Sequence, residues 1–214
     1  MGLPAASSGP TSDDAPGHGD QVAAVGVVIP IRSFHGAKER LAERLSEVAR
    51  ADLARDLATR VVRAAAPLPV VVVSSAPEVR SWALDAGAEV LDDPGTGLDG
   101  AAAAGSDHLA DRGFRRAIVA HADLPDAGPL APLVEAAGPR DVVLVPCHRD
   151  DGTNVCSIPL PRTFPFSYGP GSFLRHEATA HGLGLDVVVV RRVDLAFDVD
   201  VPADYDLMLA RSGA

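Results

Sequence analysis

Short apolar runs alternate along this chain with stretches in which apolar residues recur at helical spacing. The first run, 25–31, reads Val-Gly-Val-Val-Ile-Pro-Ile without a polar residue, which is typical of a strand buried on both faces of a parallel sheet. Runs of this kind predict strands at 25–31, 70–73, 88–91, 117–120, 141–146, 155–158, 186–192 and 195–199. Because helical stretches separate most of these strands, the pattern predicts a mostly parallel α/β sheet with helices on both faces.

Capping residues and prolines mark the ends of the predicted helices. Ser46 and Glu47 suit an N-cap and a first turn, and Pro67 ends the helix that follows. Its apolar face is predicted from Val48, Leu53, Leu57 and Val61. The same signals predict helices at 77–86, about 99–111, 172–181 and after 204, with a short helix that ends near 137.

The chain divides into two parts by composition. Residues 1–21 are mostly Ala, Ser, Gly, Pro and Asp, which bury too little apolar surface to become ordered, so we expect a disordered tail. The remaining residues, 22–214, are enough for one domain with a complete core. The sequence therefore predicts a tail followed by a single domain.

Charge and cysteine usage exclude several classes of partner. The sequence has 29 Asp and Glu against 19 Lys and Arg, a formal net charge of −10, which argues against non-specific binding to nucleic acid or to an anionic membrane. No apolar stretch approaches the about 20 residues of a membrane span, and the N-terminal residues do not show the basic segment followed by an apolar segment that is typical of a signal peptide. Cys147 and Cys156 lack the spacing of a metal site, so we expect free thiols and a cytoplasmic protein.

The loop after the first strand contains groups that bind phosphate. Gly36 permits close approach of the backbone, and Arg32, Lys38 and Arg40 add positive charge beside free N–H groups. The glycine spacing is neither that of a dinucleotide-binding loop nor that of a Walker A loop. The sequence thus indicates either a phosphate site of another type or an ordinary strand-to-helix connection with solvated basic residues.

Carboxylates follow two later strands, at the edge where a parallel sheet binds its ligands. Asp123 follows the fourth predicted strand and is either a helix N-cap or a ligand for a hard cation. Asp198 and Asp200 lie in and just after the last predicted strand, so their side chains would share one face. With Asp123 they would suit Mg²⁺, which usually takes one or two carboxylates plus substrate phosphates. For Asp200 and Asp204 the alternative is capping around Pro202.

Five sequence motifs occur together, at 29–41, 122–125, 151–154, 168–176 and 197–204. The most specific are Asp-Gly-Thr-Asn at 151–154 and Gly-Pro-Gly-Ser-Phe at 169–173 followed by His176. From residue 25 to 210 the chain resembles the CofC/FbiD family of guanylyltransferases of coenzyme F-420 biosynthesis. The resemblance implies a three-layer α/β/α sandwich with a nucleotidyltransferase fold. It also implies transfer of GMP from GTP to phosphoenolpyruvate or 2-phospho-L-lactate with release of pyrophosphate and with Mg²⁺ as cofactor.

The resemblance and the positions of polar residues after the predicted strands together indicate roles for individual residues. Lys38 and Asp123 would act in catalysis, and Asp123, Asp198 and Asp200 would bind the metal. The nucleotide would be bound by Arg32, Ser33, Gly36, Lys38, Arg40, Ser74, Ser75, Gly97 and Asp99. The acceptor would be held by Thr153, Asn154, Gly169, Ser172 and His176. Backbone N–H groups at 169–172, beside a helix start, would suit its phosphate or carboxylate. In one departure, Gly97-Leu98-Asp99 stands where the family often has Gly-Leu-Asn.

Other functions remain open on sequence alone. The same loop and carboxylates fit another MobA-like or sugar nucleotidyltransferase, and in a non-catalytic nucleotide-binding module the carboxylates would be helix caps. His176 is either an acceptor contact or a helix-surface residue, and His121 is expected to pack beside the sheet. The sequence does not choose between the two acceptors and does not give the oligomeric state. The next transferase of the same pathway is a candidate partner.

Overall fold

Seven strands form one sheet in the computed structural model, which describes residues 25–135 and 137–212. They are β1 (Val25–Pro30), β2 (Val70–Val73), β3 (Glu89–Leu91), β4 (Arg116–Ala120), β5 (Asp141–Pro146), β6 (Thr153–Pro159) and β7 (Asp186–Val189). Their order across the sheet is β3-β2-β1-β4-β6-β5-β7, and β6 alone runs antiparallel to its neighbours. The mostly parallel sheet is therefore confirmed, while the predicted tail, 1–21, lies outside the described residues.

Helices connect most of these strands. They are α1 (Glu47–Ala64), α2 (Pro77–Asp85), α3 (Gly97–Asp111), α4 (Pro132–Glu135), α5 (Ser172–Gly182), α6 (Val193–Ala196) and α7 (Pro202–Ser212), with a 3-10 helix at Glu39–Leu41. The Ser46 hydroxyl accepts the Ala49 N–H at 3.3 Å, as expected of an N-cap. Val48 does not belong to the apolar face of α1, since it is 71% exposed. No helix in the described part of the chain is long and apolar enough to span a membrane.

Helices cover both faces of the sheet, which explains why β1 lacks polar residues. Val27 and Ile29 are fully buried in one apolar cluster with residues of α1 and α2. Val28 points to the other face and is fully buried in a second cluster with residues of α3 and α5. Helix α3 packs so closely that a Cβ on Gly105 would lie 2.3 Å from Val28 Cγ1. The three-layer α/β/α architecture is thus confirmed, and both Cys147 and Cys156 are buried free thiols.

The last predicted strand, 195–199, is wrong. Its first residues form α6, and the segment that follows is irregular. The Asn154 amide donates to the carbonyls of Leu195 and Ala196 at 3.1 and 2.9 Å. A side chain therefore satisfies two carbonyls that a neighbouring strand would otherwise pair with. The Val199 N–H then donates to the Asp123 carbonyl at 3.3 Å, which joins the segment to the loop after β4.

Candidate active site

The loop after β1 is held in a fixed conformation. The Ser33 hydroxyl donates to Glu78 Oε1 at 2.6 Å, which joins the loop to α2. Gly36 adopts a left-handed conformation with φ 71°, which costs glycine little. Arg32 and Arg40 are exposed on either side of this turn. Two of the predicted cations therefore face solvent at the loop, and their contact with phosphate stays a prediction.

Lys38 lies between two carboxylates at the carboxyl edge of the sheet. Its Nζ donates to Asp123 Oδ2 at 2.6 Å and to Asp200 Oδ1 at 3.2 Å. The Lys38 side chain is only 10% exposed, and its backbone has a φ of 54°. Lys38 is also the only lysine in the sequence, since all other residues among the 19 Lys and Arg are arginines. A compact ammonium fits between two carboxylates where the broader guanidinium fork of arginine would not.

Neither aspartate beside Lys38 is a helix cap. The first helix after Asp123 is α4, which begins at Pro132, so the N-cap interpretation of Asp123 is wrong. Near α7 it is Asp204 that caps, because its Oδ2 accepts the N–H groups of Asp200 and Val201 at 3.0 Å each. The Asp200 carboxylate is thereby left to face Lys38.

The ionisation of this cluster follows from its partial burial and its ion pairs. Burial opposes the charge on Lys38, yet Asp123 and Asp200 outweigh it and raise the pKa of the ammonium. Burial likewise opposes the charge on Asp123, but Lys38 and His121 outweigh it and lower the pKa of that carboxyl. Lys38 is therefore protonated and Asp123 ionised at neutral pH.

Asp198 adds a third carboxylate, which lies beside the His148 imidazole. It is 7% exposed, and its pKa is raised by burial and then by the charges of Asp123 and Asp200. Asp198 Oδ1 and Asp123 Oδ1 are both buried without a hydrogen-bond partner. His148 Nδ1 lies 3.3 Å from Asp198 Oδ1 but outside hydrogen-bonding geometry. Unsatisfied carboxylate oxygens and mutual repulsion both fit the binding of a cation.

The carboxylates are not yet arranged as a metal site. Among the described residues, no group of three or more His, Cys, Asp and Glu side chains has a geometry that would hold a metal ion. The Lys38 ammonium instead neutralises Asp123 and Asp200 in this conformation. The carboxylates are thus of the kind that binds a hard cation, but in this conformation two of them form an ion-pair cluster with Lys38.

Three predicted nucleotide residues follow later strands of the sheet: Ser74 and Ser75 come after β2, and Gly97 comes after β3. Ser74 is fully buried, and its hydroxyl accepts the Ala76 N–H at 3.2 Å. The Ser75 hydroxyl accepts the Asp93 N–H at 3.1 Å, which fixes the turn before α3. Gly97 begins α3 with a φ of 82°. Both serines stabilise strand ends, and nucleotide contact at Ser74, Ser75 and Gly97 stays a prediction.

Predicted acceptor residues form a buried hydrogen-bond network. His176 Nε2 accepts the Ser167 N–H at 2.9 Å, so the ring proton lies on Nδ1, 3.0 Å from Thr153 Oγ1. The Ser172 hydroxyl accepts the Thr153 N–H at 3.0 Å. Thr153 and His176 are 0% exposed and Ser172 is 1% exposed, so the helix-surface interpretation of His176 is wrong. In this conformation the three side chains hold the loop before α5, and direct contact with an acceptor stays a prediction.

Backbone N–H groups at the start of α5 are already occupied. Gly171 N donates to Asp151 Oδ1 at 2.6 Å, and Ser172 N donates to the Gly169 carbonyl at 3.0 Å. Tyr168 N donates to Asp99 Oδ1 at 2.6 Å, so Asp99 contacts the loop before α5. An acceptor anion would have to displace these protein oxygens, so the N–H groups at 171 and 172 are not available to it in this conformation.

The buried imidazole makes a testable contribution to stability. Burial lowers the pKa of His176 to about 4, below the value of about 6.5 in an unfolded chain. The unfolded chain then binds a proton more readily between these values, so stability falls as the pH drops through this window. We expect a loss of about 2 kcal/mol between pH 7 and pH 5 in urea unfolding, and a smaller loss for His176→Gln. The exposed His181→Gln should lose as much as the wild type, and equal losses in all three proteins would contradict this role.

A cleft of about 290 Å³ opens beside the cluster. Its walls come from the loop after β1, from the end of β4 and from α1 and α3, and they include Ile31, Ser33, Phe34, Lys38, Leu98, His121, Asp123 and Asp200. His121 thus belongs to the cleft as well as packing beside the sheet. Its ring centroid lies 5.1 Å from that of Tyr168, a residue that the sequence analysis did not assign to a ligand. The position of His121 two residues before Asp123, just after a strand, was the available signal.

The chain is similar to known proteins both in sequence and in fold. The family described as "Guanylyl transferase CofC like" matches residues 25–213. A phosphoenolpyruvate guanylyltransferase of Sphaerobacter thermophilus is 36% identical over 185 residues, 84% of this chain and 89% of that protein. One of Rubrobacter xylanophilus is 37% identical, over 87% of this chain and 94% of that protein. A 2-phospho-L-lactate guanylyltransferase of Methanothermobacter thermautotrophicus is 31% identical, over 83% of this chain and 80% of that protein.

The solved structures agree on the fold. A proposed nucleotide-diphospho-sugar transferase of Desulfovibrio desulfuricans superposes with a TM-score of 0.71 at 17% identity. The match covers 89% of this chain and 88% of that one. At this identity the likeness concerns the fold alone.

Proposed function

This chain belongs to the family of CofC-like guanylyl transferases, and we propose that it transfers GMP from GTP to phosphoenolpyruvate, releasing pyrophosphate. As a member it is an enzyme of the nucleotidyltransferase class, and the family acts in coenzyme F-420 biosynthesis. Phosphoenolpyruvate is proposed over 2-phospho-L-lactate because relatives that are 36% and 37% identical carry that name.

One observation carries the proposal at the level of the site. The single lysine lies within 3.2 Å of two carboxylates, in a cleft at the carboxyl ends of β1 and β4. Ligands of open α/β sheets bind at this edge. The cluster supplies one cation for phosphate and, in Asp123, Asp198 and Asp200, oxygen ligands suited to Mg²⁺.

The reaction needs charge stabilisation more than it needs a base. The phosphate monoester of the acceptor has a second pKa of about 6, so it is already an anionic nucleophile at neutral pH. One of its oxygens forms a bond to the α-phosphorus of GTP, and the bond from that phosphorus to the β-phosphate bridging oxygen breaks. Pyrophosphate leaves with the electron pair, and no proton needs to be removed first.

The residues of the cleft would meet that need in two ways. Lys38 would turn its ammonium from the carboxylates toward the α- and β-phosphates, where negative charge develops as pyrophosphate leaves. Asp123, Asp198 and Asp200 would hold Mg²⁺, and the unsatisfied oxygens of Asp123 and Asp198 support this assignment. Bound there, the metal would supply neutralisation and alignment of the reacting phosphates. The fixed loop after β1 would keep Lys38 in reach of them.

Pyrophosphate release by the purified protein tests the proposal. With Mg²⁺ we expect release from GTP plus phosphoenolpyruvate, and much slower release when ATP or CTP replaces GTP. 2-Phospho-L-lactate in place of phosphoenolpyruvate tests the acceptor, because the two acids differ by a double bond and a chiral centre. Faster release with 2-phospho-L-lactate would correct the acceptor and leave the guanylyl transfer intact. No release from any donor with either acceptor, from folded protein, would contradict the proposal and favour a non-catalytic binding module.

A further inference from the structure

His148 places an imidazole between two buried carboxylates at the carboxyl edge of the sheet. It is the second residue after β5, and its side chain is 31% exposed. Its Nδ1 lies 3.3 Å from Asp198 Oδ1, and its Nε2 lies 3.8 Å from Asp204 Oδ1. The ring takes no part in the ion pairs of Lys38 or in the cap of α7, yet it lies against one of the carboxylates that would bind Mg²⁺.

The backbone and one edge of the ring fix the position of His148. Its N–H donates to the Ala196 carbonyl at 2.7 Å, so the turn after β5 is joined to the segment that leads into Asp198. The imidazole packs against the Phe197 ring, with 5.3 Å between the centroids and an interplanar angle of 64°. Phe197 itself is buried. A ring held in this way can restrain the carboxylate beside it.

The two carboxylates beside the ring differ in what they already bind. Asp204 Oδ1 accepts from the Arg149 guanidinium, and Asp204 Oδ2 caps α7 by accepting two backbone N–H groups. Asp198 Oδ1 is buried and has no hydrogen-bond partner among the described residues. A neutral imidazole has one N–H to donate. Because Asp198 is the nearer carboxylate and its Oδ1 lacks a donor, we place this N–H on Nδ1 of His148.

We propose that His148 is a positioning residue for the metal site: its Nδ1–H donates to Asp198 Oδ1 and orients this carboxylate toward Mg²⁺. The inference rests on the proposed function, which assigns Mg²⁺ to Asp123, Asp198 and Asp200. The two atoms are 3.3 Å apart, so a small rotation of either side chain would complete the hydrogen bond. An ionised carboxylate has about four lone-pair sites, so one hydrogen bond at Oδ1 leaves the others for the cation.

Asp198 needs a support of its own because the lysine pairs with the other two carboxylates. Lys38 Nζ pairs with Asp123 and Asp200, whereas the basic side chain beside Asp198 is His148. Groups that hydrogen-bond to a metal ligand fix its orientation, and their removal typically lowers metal affinity or activity by about 10- to 100-fold. Loss of the His148 N–H should therefore weaken the binding of Mg²⁺.

Two variants of the same shape isolate the N–H. Asparagine and leucine share one branched outline, and the asparagine amide nitrogen takes approximately the place of the histidine Nδ1. His148→Leu should raise the Mg²⁺ concentration for half-maximal pyrophosphate release by about 10- to 100-fold, with kcat at saturating Mg²⁺ little changed. His148→Asn keeps a donor and should restore most of the loss. His181→Leu, at an exposed histidine of α5, should behave as wild type.

A purely structural role predicts a different pattern. If His148 only packs against Phe197, His148→Asn should lose at least as much as His148→Leu, because the amide is the poorer apolar filler. That result, or an unchanged Mg²⁺ dependence in His148→Leu, overturns the inference. Should His148→Leu fail to fold, His148→Gln takes its place, since its longer side chain carries the amide past the Nδ1 position.

Metal binding without turnover distinguishes failure of this inference from failure of the proposed function. The rise in melting temperature with Mg²⁺ concentration, at a fixed concentration of α,β-methylene-GTP, reports the affinity of the full chain for the metal. A rise that needs more Mg²⁺ in His148→Leu than in wild type and His148→Asn supports the inference even if no pyrophosphate is released. Normal wild-type turnover with the same Mg²⁺ dependence in all three proteins overturns the inference alone. Absence of any Mg²⁺ effect on the wild type overturns it together with the proposed metal site.

Discussion

Asp123→Asn is expected to reduce guanylyl transfer by about 10³-fold, because one charge is removed at the point where the phosphates and the metal would meet. A metal in such a site contributes several kcal/mol of charge stabilisation, and about 4 kcal/mol corresponds to that factor. Asparagine keeps the shape of the side chain but lacks the charge that pairs with Lys38 at 2.6 Å. Steady-state pyrophosphate release at saturating GTP and acceptor measures the effect.

The matched control for this variant lies on the same loop. Asp126 is three residues further along and pairs with Arg211 at 2.9 Å on the surface. Asp126→Asn should retain wild-type turnover, and both variants should unfold cooperatively. If Asp123→Asn keeps more than about a tenth of the wild-type rate, Asp123 does not hold a catalytic charge.

Lys38→Met is expected to lower turnover by about 10²- to 10³-fold, the range found when a group that stabilises developing charge is removed. Methionine keeps the length and apolar stem of lysine and loses the ammonium. Lys38→Arg should also be impaired, because the cluster holds a compact cation between oxygens at 2.6 and 3.2 Å. Arg44→Met, at an exposed ion pair with Asp206, is the control and should turn over normally.

The same variant has a second readout that does not depend on activity. Without Lys38, Asp123 and Asp200 repel each other across a partly buried cleft, and we expect the melting temperature to fall by several degrees, at about 2–4 °C per kcal/mol. Mg²⁺ should restore more of the stability of Lys38→Met than it adds to the wild type, because a cation then replaces the ammonium. If Mg²⁺ raises the melting temperatures of both proteins equally, the carboxylates do not form the metal site.

The sheet could be predicted from sequence because burial on both faces leaves a simple signal. Continuous apolar runs such as Val27–Ile29 mark strands whose alternate side chains enter two separate cores. The segment 195–199 is an exception, since it is apolar but does not form a strand. Its apolar residues belong to a short helix and an irregular stretch fixed by the Asn154 amide, a long-range side-chain contact that no local pattern records.

The sequence predicted that Lys38, Asp123 and Asp200 lie at one edge of the sheet, but it did not predict how their side chains pair. Strand-end residues such as Lys38 and Asp123 could be collected because parallel strands bring their carboxyl ends to one edge. Two contacts depend on side-chain geometry between distant segments. Lys38 pairs with Asp123 and Asp200, and Asp99 accepts the Tyr168 N–H. The burial of His176 and the position of His148 beside Asp198 likewise became visible only with the fold.

Phosphorus NMR of the product made from GTP and ¹⁸O-phosphate-labelled phosphoenolpyruvate tests the central claim most directly. Attack by the acceptor phosphate on the α-phosphorus predicts a product with two coupled diphosphate signals, both shifted by a shared ¹⁸O, together with unlabelled pyrophosphate. Formation of GMP without a coupled product, or of pyrophosphate that carries the label, would contradict guanylyl transfer to the acceptor phosphate.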